Sequence, residues 1–403
     1  MKKVCEVCGS KNLKLVLDLG QNPLCDDLIE INSRKKNNLY KIQILLCKKC
    51  ITGFQNFEVK KKKLFPKSYH YRARFTNDVL NGFKEIFKIS ENYIKNFKKK
   101  KILDIGCNDG SLLNLYKKKN AITVGVEPTG AALDAKKNGH NIYQTYFDKE
   151  TTNKLLKKYK KFDFIIFTNV FAHIENLQLL IKNLKKLISD ETVLIIENHY
   201  FGSIIEKNQF DTFYHEHPRT YSATSFLFIA KKLGMSIDNL QFPRRYGGNI
   251  RVVFTKKKLK SKKEIIQNKE KNFVKEILKM QKRVNKWKVS KKKFINKLYL
   301  KNGPMIAKAF PGRAAILVRL LNLNKKIISS VYEKKGSMKI GNYVPGTKIP
   351  IKSDSELIKI IKSTKIIINF AWHISKEIKK YLRSRGYRGK IYNIIEKKDF
   401  TIY

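Results

Sequence analysis

Two blocks of short apolar strands alternating with helices, and two C-x-x-C pairs ahead of them, predict an α/β protein in three parts. The parts are a small N-terminal zinc-binding domain (residues 1–60), a central Rossmann-like domain with a helical connector (61–255) and a second, smaller Rossmann-like α/β domain (256–403). A chain of 403 residues is too long for one small core, so length alone points to more than one domain.

The first part rests on Cys5, Cys8, Cys47 and Cys50. Each pair sets two thiolates on one tight turn, and Gly9 suits the geometry of the first. Two such turns complete a tetrahedral four-sulfur zinc site. Four cysteine ligands leave no position open for water, so the metal is expected to be structural. Disulfides are the other reading of these cysteines. Short strands are expected around Lys14–Leu19 and Lys41–Leu46.

Residues 61–98 read as the connector. It passes through Tyr69-His70-Tyr71 and becomes a helix with Val79, Phe83, Ile86, Phe87 and Ile94 at helical spacing. Strands are then expected at Ile102–Ile105, Ile122–Val126, Ile142–Tyr146, Phe162–Phe167 and Val193–Glu197, with helices between them. Alternation of this kind means a parallel sheet covered on both faces. From Lys256 to about Asn302 the chain is highly charged and helical. Phe273, Val274, Ile277, Leu278 and Val284 form its apolar stripe, which Trp287 extends. Core packing with a solvated outer face is expected there. A second alternation follows, with strands at Met305–Phe310, Lys326–Val331, Ile366–Phe370 and Lys390–Ile394, and helices at Ala314–Leu321 and Lys376–Arg383.

The formal net charge is +53. The cations are mostly lysines scattered along the whole chain. Nucleic-acid readers concentrate arginines and aromatics on one surface, so a nucleic-acid partner is not expected. A small anionic substrate is. No apolar run is long enough to cross a bilayer. The start, Met1-Lys2-Lys3-Val4-Cys5-Glu6, lacks the apolar stretch of a signal peptide. Unpaired Cys25 and Cys107 suit a reducing compartment, and a cytoplasmic location is expected. No motif bears on oligomeric state.

The segment Leu103-Asp104-Ile105-Gly106-Cys107-Asn108-Asp109-Gly110-Ser111 carries the cofactor argument. Gly106 and Gly110 bracket a tight strand-to-helix turn that lets a ligand approach the backbone. Glu127 ends the next strand, near the spacing of about 20 residues expected of a ribose-binding acid. A full G-x-G-x-x-G, which a dinucleotide wants, is absent. Asp104 at the turn suits a cationic ligand without phosphate, the sulfonium of S-adenosylmethionine. The candidate cofactor residues are therefore Asp104, Gly106, Asn108, Gly110 and Glu127, and the central domain reads as a class I methyltransferase. Asp148 is a candidate for the adenine amino group, or equally a helix cap.

After the strand ending at Glu197 comes Phe210-Asp211-Thr212-Phe213-Tyr214-His215-Glu216-His217-Pro218. Two histidines, a tyrosine and a carboxylate fall within four positions. The spacing is wrong for a helical H-E-x-x-H metal site, which leaves general acid–base work as the expectation.

At these residues the chain resembles the bacterial sugar C-methyltransferases that act on nucleotide-linked keto-deoxysugars. The likeness takes in the four-cysteine domain, Leu103–Gly110, Phe210–His217, Tyr246-Gly247-Gly248-Asn249-Ile250-Arg251 and Gly341-Asn342-Tyr343-Val344-Pro345-Gly346-Thr347. It implies a base that removes the proton α to a ketone, and an enolate that takes the methyl group. It implies His217 as that base, Tyr214 and Glu216 orienting it or the sugar, and His173 as a second active-site histidine. Tyr71 (or Tyr69) maps to a tyrosine that closes over the substrate. Two stretches depart from the family, Arg72-Ala73-Arg74 and Phe310-Pro311-Gly312-Arg313-Ala314-Ala315. Their arginines suggest a phosphate or carboxylate partner. The expected activity is S-adenosylmethionine-dependent C-methylation of an activated keto sugar. The alternatives are O- or N-methylation of another small metabolite and, further off, a basic zinc module that binds nucleic acid.

Overall fold

The computed structural model describes residues 3–67, 69, 71–257 and 263–400, with the Tyr246 side chain excepted. His70 of the connector, residues 258–262 of the charged stretch and the Tyr246 side chain of the Tyr246–Arg251 motif lie outside the described residues.

The strand-forming segments after Lys101 build a seven-stranded sheet. In chain order its strands are Lys101–Ile105, Ile122–Val126, Asn141–Tyr143, Phe164–Thr168, Val193–His199, Ser236–Gln241 and Asn249–Thr255. Counted one to seven, they lie in the order 6-7-5-4-1-2-3, and the seventh runs antiparallel to both neighbours. Ile165, Ile166, Leu194 and Ile195 are fully buried, because helices cover both faces of the sheet. That double burial is why these strands read as unbroken apolar runs. Ser236–Gln241 escapes that reading because it is a polar edge strand. Asn249–Thr255 is buried along its whole length, but it carries Asn249 and Arg251 inward, where both bond Glu197.

The second sheet holds Met305–Lys308, Ile328–Glu333, Ile351–Ser353, Ile366–Asn369 and Lys390–Asn393, all parallel, in the order 3-2-1-4-5. In both sheets the order reverses beside the first strand. Such a reversal opens a crevice at the carboxyl ends of the strands, where ligands bind.

The N-terminal strands Leu13–Pro23, Leu39–Cys47 and Thr52–Gln55 form an antiparallel sheet. A fourth strand joins it from far away in the sequence. Arg219–Thr220, directly after the His217-Pro218 pair, lies antiparallel to Thr52–Gln55. Ile29–Glu30 in turn pairs with Asn342–Tyr343 of the C-terminal region. The charged stretch is broken into helices Lys263–Glu270, Phe273–Leu278 and Met280–Asn302. Phe273, Ile277, Val284 and Trp287 are buried, whereas Leu278 faces outward. The Trp287 indole N–H donates to the Ile394 carbonyl at 3.1 Å and so fixes the long helix to the second α/β domain. The connector helix, Asn77–Ser90, ends before Ile94. No helix among the described residues is long and apolar enough to cross a membrane.

Candidate active site and metal centre

The sulfurs of Cys5, Cys8, Cys47 and Cys50 all lie within 4.8 Å of one another. Cys5 and Cys50 stand 3.5 Å apart, as do Cys8 and Cys47, and none is in a disulfide. A tetrahedron with arms of about 2.3 Å has edges of about 3.8 Å, so this cluster fits a four-thiolate zinc ion. The Thr52 hydroxyl lies 3.0 Å from Cys50 Sγ and 2.8 Å from the Ser225 hydroxyl. The knuckle is thus tied to a helix of the central domain.

One cavity of about 880 Å³ lies between the two crevices. The central domain lines it with Asp104, Gly106, Asn108, Glu127, His173, His199, Tyr214, Glu216 and His217. The second α/β domain adds Arg313, Lys334, Lys335 and His373, and the N-terminal part adds Cys25 and Asp26.

The candidate cofactor residues gather at the turn after Lys101–Ile105. Glu127 Oε2 accepts the Asn108 N–H at 3.0 Å, and Oε1 accepts the Thr129 N–H at 2.9 Å. The carboxylate is thereby fixed with lone pairs left for a ribose diol. Asp104 is buried and, among the described residues, makes no side-chain hydrogen bond. Burial and the neighbouring Glu127 charge push its carboxyl up to about 8. A sulfonium cation is the kind of ligand that restores its ionised form, so the residues present fit S-adenosylmethionine. Asn108 adopts φ +50°, and its amide holds the Ala73 N–H at 2.8 Å and the Tyr71 carbonyl at 3.1 Å, which draws the connector over the turn. We expect Glu127→Ala to weaken S-adenosylmethionine binding by roughly 2–3 kcal/mol through loss of charge-assisted hydrogen bonds, with the fold intact. Titration calorimetry checks this, and unchanged affinity refutes the assignment.

The other expected residues differ in their places. Gly106 lines the cavity, but the space a Cβ would take is filled by Val170, 2.4 Å from that position. Gly110 caps a helix against His140 and does not reach the cavity. Asp148 is likewise no cavity residue. It caps Lys149–Tyr159 by accepting the Thr151 N–H at 2.9 Å, so the helix-cap reading describes its place. The arginines of the two divergent stretches find their carboxylates inside the chain. Arg72 and Arg74 pair with Asp134, and Arg313 with Asp211 at 2.9 Å.

The histidines gather at the centre of the cavity. The ring of His217 lies 4.9 Å from that of His173, 5.4 Å from His199 and 4.3 Å from Tyr214. His217 Nδ1 lies 3.0 Å from the Thr212 carbonyl. A carbonyl only accepts, so Nδ1 carries the proton and Nε2 keeps its lone pair. Burial, with His173 and His199 nearby, holds His217 well below the ordinary histidine value. Burial lowers His173 to about 4 and His199 to about 3. The three imidazoles are therefore neutral at pH 7 and can act as bases. Burial acts in the opposite direction on their acidic neighbours. Tyr214 and Glu216 are both pushed well up, Glu216 also by the charge of Asp26. Tyr69 hydrogen-bonds Glu216, while Tyr71 sits at the cavity rim, 37% exposed. His215 points away and meets the Tyr40 carbonyl at 3.1 Å.

Sequence reasoning missed His199 and His373. His199 ends a central strand on the ligand side of the sheet, and that position was a usable signal.

Three family models match the chain in succession. They are described as "Putative zinc binding domain" (residues 5–65), "Methyltransferase domain" (79–240) and "C-methyltransferase C-terminal domain" (244–393). The chain is similar to C-methyltransferase NovU of Streptomyces niveus, at 22% identity over 62% of this chain and 60% of that protein. It is also similar to the ubiquinone biosynthesis O-methyltransferase of Pelagibacter ubique (strain HTCC1062), at 31% identity over 27% of this chain and 49% of that protein. The chain thus spans less than two thirds of the length of either relative. Among solved structures, magnesium protoporphyrin IX methyltransferase from Synechocystis PCC 6803 with bound SAH aligns at a TM-score of 0.35. That alignment has 14% identity and covers 45% of this chain and 84% of the other.

Proposed function

We propose that this chain, which zinc-binding, methyltransferase and C-methyltransferase C-terminal domain models match in succession, methylates the carbon α to the ketone of a nucleotide-linked keto-deoxysugar. The observation that carries this reading is the neutral His217, its Nε2 lone pair unengaged among the described residues, in the same cavity as Asp104 and Glu127. When bound, S-adenosylmethionine supplies the electrophilic methyl group that the enolate carbon takes.

The chain's own residues account for the rest. His217 Nε2 accepts the α proton, and the electrons of that C–H bond pass into the enolate. A base of lowered basicity needs help at the enolate oxygen. The Tyr214 hydroxyl is the available donor, and burial favours the protonated, donating form of Glu216 beside it. His173 holds its Nδ1 2.6 Å from the Glu216 carbonyl and so braces the loop that carries them. Lys334 and Lys335, exposed at the cavity mouth, offer charge to a diphosphate. NovU, a C-methyltransferase by name, supports the choice of carbon as acceptor.

The test is turnover with labelled S-adenosylmethionine on nucleotide-linked keto sugars, the same sugars without the nucleotide, and nucleotide-linked sugars lacking the ketone. Methylation confined to the first group is expected. Equal turnover without the ketone would reject the enolate reading.

A further inference from the structure

We propose that His373 is a substrate-contacting residue that the second α/β domain delivers to the active site, where its imidazole hydrogen-bonds a hydroxyl group of the sugar. The inference rests on the keto-sugar reading and names one contact within it.

His373 follows the Ile366–Asn369 strand, in the short 3₁₀ turn Trp372–Ile374. That strand neighbours Met305–Lys308 where the order of the second sheet reverses, so the turn stands at the crevice of its own domain. The same crevice opens into the cavity that holds His173, His199 and His217. Two contacts pin the turn. The Trp372 indole N–H donates to Asp211 Oδ2 at 2.9 Å, and Arg313 Nε reaches the same oxygen at 2.9 Å. Asp211 opens the segment that leads to His217. The second domain and the catalytic loop are therefore locked at this point, and His373 is presented from a fixed backbone.

The imidazole itself is unpartnered. Among the described residues it makes no hydrogen bond, and its Nδ1 is sealed from solvent. Nδ1 is closed even to a water-sized atom, so the edge left for a ligand in the cavity that His373 lines is Nε2, which likewise makes no hydrogen bond among the described residues. The chemistry of the ring selects the ligand atom. Burial, the Arg313 charge and His199 hold His373 well below the ordinary histidine value, so the ring is neutral. A neutral imidazole has one N–H and one lone pair. A phosphate oxygen accepts only, and it prefers a cation. A sugar hydroxyl both donates and accepts, and it matches the neutral ring.

The experiment takes a nucleotide-linked keto sugar that the wild-type enzyme methylates, together with analogues each lacking one hydroxyl. One analogue should lose roughly 10- to 100-fold in kcat/KM with the wild type, since a site built to pair a hydroxyl rejects the molecule without it. His373→Leu keeps bulk but cannot pair. It should bring the parent sugar down to the level of that analogue and leave the analogue itself unchanged. His373→Asn, which still donates and accepts, should recover most of the preference. S-adenosylmethionine affinity, measured by calorimetry, should be the same in all three proteins and reports intact folding. The proposal is overturned if His373→Leu slows parent and analogues alike, or if the preference survives the substitution. If the wild type methylates no keto sugar at all, the functional reading itself falls, and this contact falls with it.

Discussion

His217→Asn should reduce methyl transfer by roughly 10²–10⁴-fold, the range lost when a general base is removed, with S-adenosylmethionine affinity unchanged. The two outcomes separate under the proposed assignment, in which His217 meets the sugar while Asp104 and Glu127, which line the same cavity, hold the cofactor. His217 is buried among His173, His199 and Tyr214, so asparagine fits the space but offers no basic nitrogen. The pH profile gives the same residue a second signature. Protonation disables the base, and burial with His173, His199 and Arg313 depresses its protonation in the folded protein. The neutral form therefore persists below the ordinary value of about 6.5. The acid limb of kcat/KM should accordingly lie below pH 6.5, and it should vanish or move in the variant. An acid limb above pH 7 that the substitution leaves in place would assign the base elsewhere.

Removing zinc should inactivate the enzyme although the metal sits outside the cavity. Structural zinc is folding energy, on the order of 10–16 kcal/mol in isolated zinc modules. Here the module's sheet is completed by the catalytic segment. The Gln55 N–H donates to the Pro218 carbonyl at 2.9 Å, and the Gln55 side chain reaches the Tyr214 carbonyl at 3.3 Å. Arg219, fully buried, pairs with Glu6 inside the first C-x-x-C turn and also donates to the Ile174 carbonyl. A knuckle that loosens releases both ends of the loop carrying His217. A displacement of about 1 Å in a catalytic group costs about 100-fold, so chelation or Cys50→Ser should cost at least that much. Hydrogen exchange should rise across residues 214–220 and stay unchanged across residues 101–126. Full activity in a zinc-free protein would break the proposed link.

The metal site was legible from sequence because C-x-x-C spacing is local, and a turn brings its two sulfurs together wherever it folds. The central sheet was legible because strands such as Phe164–Thr168, buried on both faces, leave an apolar run that no polar alternation disguises. The acid–base cluster reads as one group in the sequence, and the structure separates its members. His215 and His217 sit two apart on one loop, yet only His217 faces the cavity. His199 stood alone in the sequence, and only the strand order carries it beside His217. Arg72 and Arg74 of the connector line the cavity, but their pairing with Asp134, about 60 residues further on, was beyond the reach of local pattern. Asp148 shows the opposite case. A cap and an adenine-binding acid have the same local sequence, and the cap, made through the Thr151 N–H, shows only in the fold.

The most direct test of the central claim follows the α proton. In heavy water, with the keto-sugar substrate and a cofactor lacking the methyl group, the wild-type enzyme should exchange that proton for deuterium, and His217→Asn should not. With a labelled methyl donor, the product's new methyl should then appear bonded to carbon. Exchange that persists at the wild-type rate in His217→Asn, or a methyl bonded to oxygen or nitrogen, would contradict the account.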